Sequence, residues 1–104
     1  MNLTDIAKIA KSTSKLRGKF YTHSNDCVER FFKDLAGEVT EATAAGMLYN
    51  ESGRTRGKEE FAGELADVII TTMVIAARYD IDLEEAVTDK LAYNIERENI
   101  KECC

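Results

Sequence analysis

FAGELADVIITTMVIAAR, residues 61–78, decides the fold. A stretch this apolar invites a membrane reading, but its unpunctuated part, Val68 to Ala77, is broken by Thr71 and Thr72. That is far short of the roughly 20 apolar residues that span a bilayer. Phe61, Leu65, Val68, Ile69, Thr72 and Ala76 recur at three- and four-residue steps, the period of an α-helix. Lys58 opens the segment, and Glu59 and Glu60 follow where the positive end of a helix dipole favours acids. The pattern predicts a helix from about Lys58.

The rest of the chain follows outward from this helix. Upstream, NESGRTRG (50–57) has two glycines, small polar residues and no apolar period, so it reads as a loop. Before it, Ser24-Asn25-Asp26 offers capping residues for a helix carrying Val28, Phe31, Phe32, Leu35, Val39 and Ala42 and reaching about Leu48. A first helix is expected from an N-cap at Thr4 to about Lys15, with Leu3, Ile6, Ala7 and Ala10 as its stripe and Gly18 ending it. Downstream, Tyr79-Asp80-Ile81 reads as a turn. Asp82 then caps a fourth helix with Leu83, Ala86, Val87, Leu91 and Ile95, fraying near Asn99. The chain has no proline and few strand-like alternations. The expected architecture is all-α, an antiparallel four-helix bundle forming a single domain over residues 1–104.

Composition bounds the function. At 104 residues and 44% apolar content the chain can build one core, and a second copy would help it bury more surface. The net charge of −5 argues against a nucleic acid polymer, which requires a basic footprint. MNLTDIAKIAKSTSK lacks the apolar stretch of a secretory signal, and Cys27, Cys103 and Cys104 form no C-x-x-C pair. These features predict a protein of the reducing cytoplasm, with no membrane partner.

The chemistry resides in a repeat. AGEVTEA (36–42) and AGELADV (62–68) are near copies, each placing two acids three positions apart. At about 100° per residue, Glu38 and Glu41 fall to one side of the Leu35–Val39 line. Glu64 and Asp67 fall to the same side of Leu65, Val68 and Ile69. Same-hand edges of two antiparallel neighbours converge, so four carboxylates are expected in one groove. Clustered carboxylates resist ionising together, and a divalent cation relieves that repulsion. All-oxygen ligation suits Mg²⁺ or Mn²⁺. A di-iron site with two Glu-x-x-His motifs is excluded within one chain, because His23 is the only histidine. The competing reading is four solvated surface acids. Gly37 and Gly63, each preceding the first acid of a pair, suggest close approach of a backbone or ligand.

Lys90, Asn94 and Arg97 lie at i, i+4 and i+7 on the fourth helix, one face with the means to hold phosphate oxygens. The alternative is a surface face of ion pairs with Asp89, Glu96 and Glu98. Lys58 stands near the positive end of the third helix, and Arg54 and Arg56 lie in the loop, where they either close over a ligand or are solvated.

E-V-T-E at 38–41, E-L-A-D at 64–67 and K-x-x-x-N-x-x-R at 90–97 together resemble the MazG-like family of all-α nucleoside triphosphate pyrophosphohydrolases, over about residues 28 to 97. The resemblance implies Mg²⁺ held by Glu38, Glu41, Glu64 and Asp67. It also implies hydrolysis between the α- and β-phosphates of a nucleoside or deoxynucleoside triphosphate, releasing a monophosphate and pyrophosphate. Lys90, Asn94 and Arg97 match phosphate or ribose contacts, and relatives are homo-oligomers, dimers or dimers of dimers. Many relatives carry an acid directly before the first motif glutamate; here that position is Gly37. Phe20, Tyr21 and His23, just ahead of the second helix, are candidates to stack on the base, with core packing as the alternative. The competing functional class is a non-catalytic helical module that binds nucleotides or proteins.

Overall fold

The computed structural model describes residues 2–22, 26–53 and 57–98. Four helices follow one another: α1 (Leu3–Leu16), α2 (Cys27–Glu51), α3 (Lys58–Arg78) and α4 (Leu83–Glu98). No strand occurs among the described residues.

The helix ends follow local hydrogen bonding. The Asp82 side chain accepts the Glu85 N–H at 3.0 Å and caps α4. The α1 cap is Asn2 and not Thr4: Asn2 Oδ1 accepts the Asp5 N–H at 2.9 Å, so the helix starts at Leu3. Thr4 instead donates its hydroxyl to Glu84 at 3.2 Å, tying α1 to α4. α2 runs to Glu51, past the expected Leu48.

α2 and α3 make the most extensive helix–helix contact, and α3 also packs on α1. The α2–α3 pairing is antiparallel. Tyr49 meets Phe61 near the connecting loop, with ring centroids 5.8 Å apart, and Phe31 meets Tyr79 at the far end at 6.3 Å. The core lies at that far end. Phe31 (1% exposed) and Met73 are fully enclosed, with Cys27, Ala10, Val74 and Ile75 around them. Phe20 and Tyr21 pack against this cluster, Tyr21 at 4.8 Å from the Phe31 ring. Both rings are half-buried against the core, the packing arrangement that is the alternative to stacking on a base.

The inward line of α2 differs from the stripe read from sequence. Phe31, Leu35, Glu38, Ala42 and Ala45 are among its shielded residues, whereas Val28, Phe32 and Val39 are exposed. On α3 Phe61, Val68, Thr72 and Ala76 of the expected stripe are shielded, together with Glu64, Thr71, Met73, Val74 and Ile75, while Leu65 and Ile69 are exposed. Through the acids the line steps by three and four in both helices, as a coiled-coil seam does. Glu38 and Glu64 therefore stand in the seam itself and not on its shoulder.

The four helices do not close into the expected bundle. α4 packs weakly, mainly on α1, and its Val87, Leu91 and Ile95 stay exposed. The radius of gyration is 16.4 Å, against about 13 Å for a compact domain of this length. No helix among the described residues is long and apolar enough to cross a membrane.

Candidate active site

The seam brings the two acidic motifs together. Carboxylate oxygens of Glu38, Glu41 and Glu64 lie within 4.8 Å of one another. Asp67, one turn beyond Glu64, is exposed, and its charge acts on both Glu38 and Glu64. The short connection between α2 and α3 forces them side by side in opposite directions, and the three-residue spacing of each motif then points its first acid inward.

The position is electrostatically unfavourable. Burial raises the Glu38 pKa above the ordinary glutamate range, and the charges of Glu41 and Asp67 raise it further; Arg17 pulls against them. Glu64 is raised by burial first, then by the neighbouring carboxylates of Glu41 and Asp67. Oε2 of Glu38 and Oε2 of Glu64 are shut off from solvent and have no hydrogen-bond partner. Buried polar atoms are almost always paired, because an unpaired one retains its desolvation penalty. Two orphaned carboxylate oxygens within one oxygen-only cluster are what a hard divalent cation would satisfy, so the residues fit Mg²⁺ or Mn²⁺.

A cavity of about 380 Å³ adjoins the acids, with Glu38, Glu41 and Asp34 among its walls. Arg17, Lys19 and Lys33 also line it, and sequence reading missed all three. Arg17 and Lys19 flank Gly18 in a turn, and Lys33 lies outside any repeat, so neither helical spacing nor motif singled them out. Asp34 is already engaged, accepting the Tyr21 hydroxyl.

The α4 residues behave differently. No α4 side chain lines this cavity. Arg97 pairs with Glu98 at 2.9 Å, and Arg97 and Lys90 both lie over the Tyr93 ring. Asn94 is half-buried, with its Oδ1 shielded and unpartnered. Lys58 is exposed at the start of α3. His23, Arg54, Arg56, Cys103 and Cys104 lie outside the described residues.

Close approach of another backbone does not account for the motif glycines. A Cβ at Gly37 or Gly63 would meet nothing within 4 Å, so no protein group approaches them closely. Within α2 it is Gly46 that needs its missing side chain, because a Cβ there would stand 2.9 Å from the Phe61 ring.

Residues 7–93 match the phosphoribosyl-ATP pyrophosphohydrolase family, a MazG-like all-α family. No curated protein and no solved structure matches the chain significantly.

Proposed function

This chain belongs to the phosphoribosyl-ATP pyrophosphohydrolase family, whose activity is of the pyrophosphohydrolase type on nucleotides, and we propose that it is a Mg²⁺-dependent nucleoside triphosphate pyrophosphohydrolase. It cleaves a nucleoside or deoxynucleoside triphosphate between the α- and β-phosphates, releasing a monophosphate and pyrophosphate. Clearing unwanted nucleotides from the cellular pool is the role that fits such an activity. The observation that carries this reading is the trio of carboxylates within 4.8 Å, two of them with orphaned oxygens.

Glu38, Glu41, Glu64 and Asp67 hold the ion. When bound, Mg²⁺ polarises the phosphoryl group and lowers the pKa of a coordinated water. The carboxylates supply what remains of the chemistry. One of them accepts the proton of the attacking water. Lys58, Lys90, Asn94, Arg97 and His23 contact the nucleotide.

Within one protomer α4 does not line the acid cavity, so its contribution requires a second copy. The exposed apolar residues Val39, Leu65 and Ile69 beside the seam and Val87, Leu91 and Ile95 on α4 support a homo-oligomer, dimer or tetramer. Large exposed apolar patches on a folded chain mark association surfaces.

The family's name adds a second substrate reading, phosphoribosyl-ATP, which presents the same α–β linkage. A panel of natural and modified nucleoside triphosphates plus phosphoribosyl-ATP, assayed with Mg²⁺ for pyrophosphate release, separates the two. No turnover of any compound, with Glu38→Gln behaving as wild type in metal binding, favours the non-catalytic module instead.

A further inference from the structure

The 380 Å³ cavity is bipolar: Arg17, Lys19 and Lys33 line it together with Glu38 and Glu41. A purely acidic groove would attract only a cation, and a purely basic one only an anion. A wall that carries both matches a ligand that carries both, namely a polyphosphate with its divalent ion. We infer that Arg17, Lys19 and Lys33 form the subsite that holds the pyrophosphate end of the substrate, opposite the carboxylates. This rests on the enzymatic reading above and assigns the anion-binding role to residues outside α4.

The local structure presents these cations at the cavity wall. Gly18 adopts φ +69°, a left-handed conformation that favours glycine, so the chain turns sharply between Arg17 and Lys19. In that turn the Lys19 N–H donates to the Ser14 carbonyl at 2.8 Å, the Gly18 N–H to Lys15 at 3.2 Å and the Arg17 N–H to Thr13 at 3.1 Å. These are the bonds of a Schellman-type helix end. They occupy the Thr13, Ser14 and Lys15 carbonyls in the last turn of α1, which would otherwise repel an incoming anion. Lys33 lies one helical stretch before the acids, about 7.5 Å along the axis from Glu38. The cations thus enter from the start of α2 and the end of α1, and the acids follow further along α2. Arg17, Lys19 and Lys33 share one cavity wall with Glu38 and Glu41, which makes the two sets neighbours. A guanidinium and two ammonium groups are the usual partners of phosphate oxygens.

The test is calorimetric titration of inorganic pyrophosphate, with Mg²⁺ present, into wild type, Lys8→Gln and the triple variant Arg17→Gln, Lys19→Gln, Lys33→Gln. All three positions are exposed, so the triple variant keeps its fold, which its helical circular dichroism verifies. The triple variant is expected to bind pyrophosphate at least about 100-fold more weakly, given roughly tenfold for each charge-assisted hydrogen bond removed. The Lys8→Gln control is expected to stay within about twofold, as a cation outside the cavity should. Lys→Arg replacements at 19 and 33 are expected to retain binding. Unchanged binding in the triple variant, or an equal loss in Lys8→Gln, overturns the inference. If the triple variant meanwhile still hydrolyses nucleotides with wild-type KM, only this subsite falls and the enzymatic reading stands. Pyrophosphate binding through the three cations in a wild type that cleaves nothing supports the subsite and overturns the enzymatic reading.

Discussion

The acidic seam of α2 and α3 and the cationic strip of α4 are both charged motifs on helices, yet their physical states are opposite. In the seam, Glu38 and Glu64 occupy positions where an apolar residue would pack, like charges crowd them, and an oxygen of each has no partner. On α4, Arg97 has Glu98 and the Tyr93 ring, Lys90 has the same ring, and both sit in solvent. The two cations of the strip are relaxed as they stand, while Asn94 between them keeps a shielded Oδ1 without a partner. The seam carboxylates are not, and a bound cation is what would relax them. Unfavourable electrostatics retained at one place in an otherwise consistent sequence mark function more surely than the motif alone.

The largest expected difference between the regions is catalytic. Glu64→Gln is expected to lower pyrophosphate release by at least about 100-fold, since metal-borne charge stabilisation is worth several kcal/mol. Arg97→Gln is expected to raise KM by about tenfold with a smaller change in kcat, because a charged contact to substrate is worth about 1.5–3 kcal/mol. Steady-state kinetics on the best substrate of the panel reads both. Equal losses in kcat would break the contrast.

The second difference is in pH dependence of the metal-free protein. Glu38 and Glu64 have folded-state pKa values raised above their unfolded ones. Between the unfolded and the folded value the native state binds more protons, so stability falls as pH rises through that window. In EDTA, Tm is therefore expected to increase as pH is lowered through the raised folded-state values toward the ordinary glutamate range, and Glu38→Gln is expected to flatten the slope. Arg97→Gln should leave it unchanged. Scanning calorimetry across pH tests the sign directly.

Packing gives a smaller contrast. Gly46→Ala drives a methyl to 2.9 Å from Phe61 and is expected to cost about 1–3 kcal/mol by chemical denaturation. Gly37→Ala and Gly63→Ala meet open space and are expected to stabilise the metal-free protein by up to about 1 kcal/mol each, the helix propensity difference. The smallest effect belongs to the α4 pair: Arg97→Gln is expected to change stability by less than about 0.5 kcal/mol, as exposed ion pairs do.

Sequence patterning made some of this legible. The turn at Tyr79–Ile81 and the Asp82 cap follow from local chemistry, which a sequence carries in full. The meeting of the two acidic motifs follows from a short loop and equal spacing. The exact angular place of the acids did not, because apolar content alone pulled the inferred stripe toward Val39, Leu65 and Ile69. Those residues are apolar yet exposed in the protomer, and the seam runs instead through Glu38 and Glu64. The position of α4 was also illegible: the i, i+4, i+7 spacing fixes a face on a helix but not the neighbour that face meets. Arg17, Lys19 and Lys33 escaped notice because a turn and two helices bring them together, and no one-dimensional spacing records that.

The central claim is that the seam carboxylates form a cation site. Thermal unfolding with Mg²⁺ titrated into wild type and Glu38→Gln tests it most directly. Saturation to about 100 times Kd contributes about 2.7 kcal/mol, so wild type is expected to gain at least about 5 °C in Tm, and Glu38→Gln is expected to gain almost nothing. A wild-type Tm that stays flat in saturating Mg²⁺ and in Mn²⁺ would contradict it.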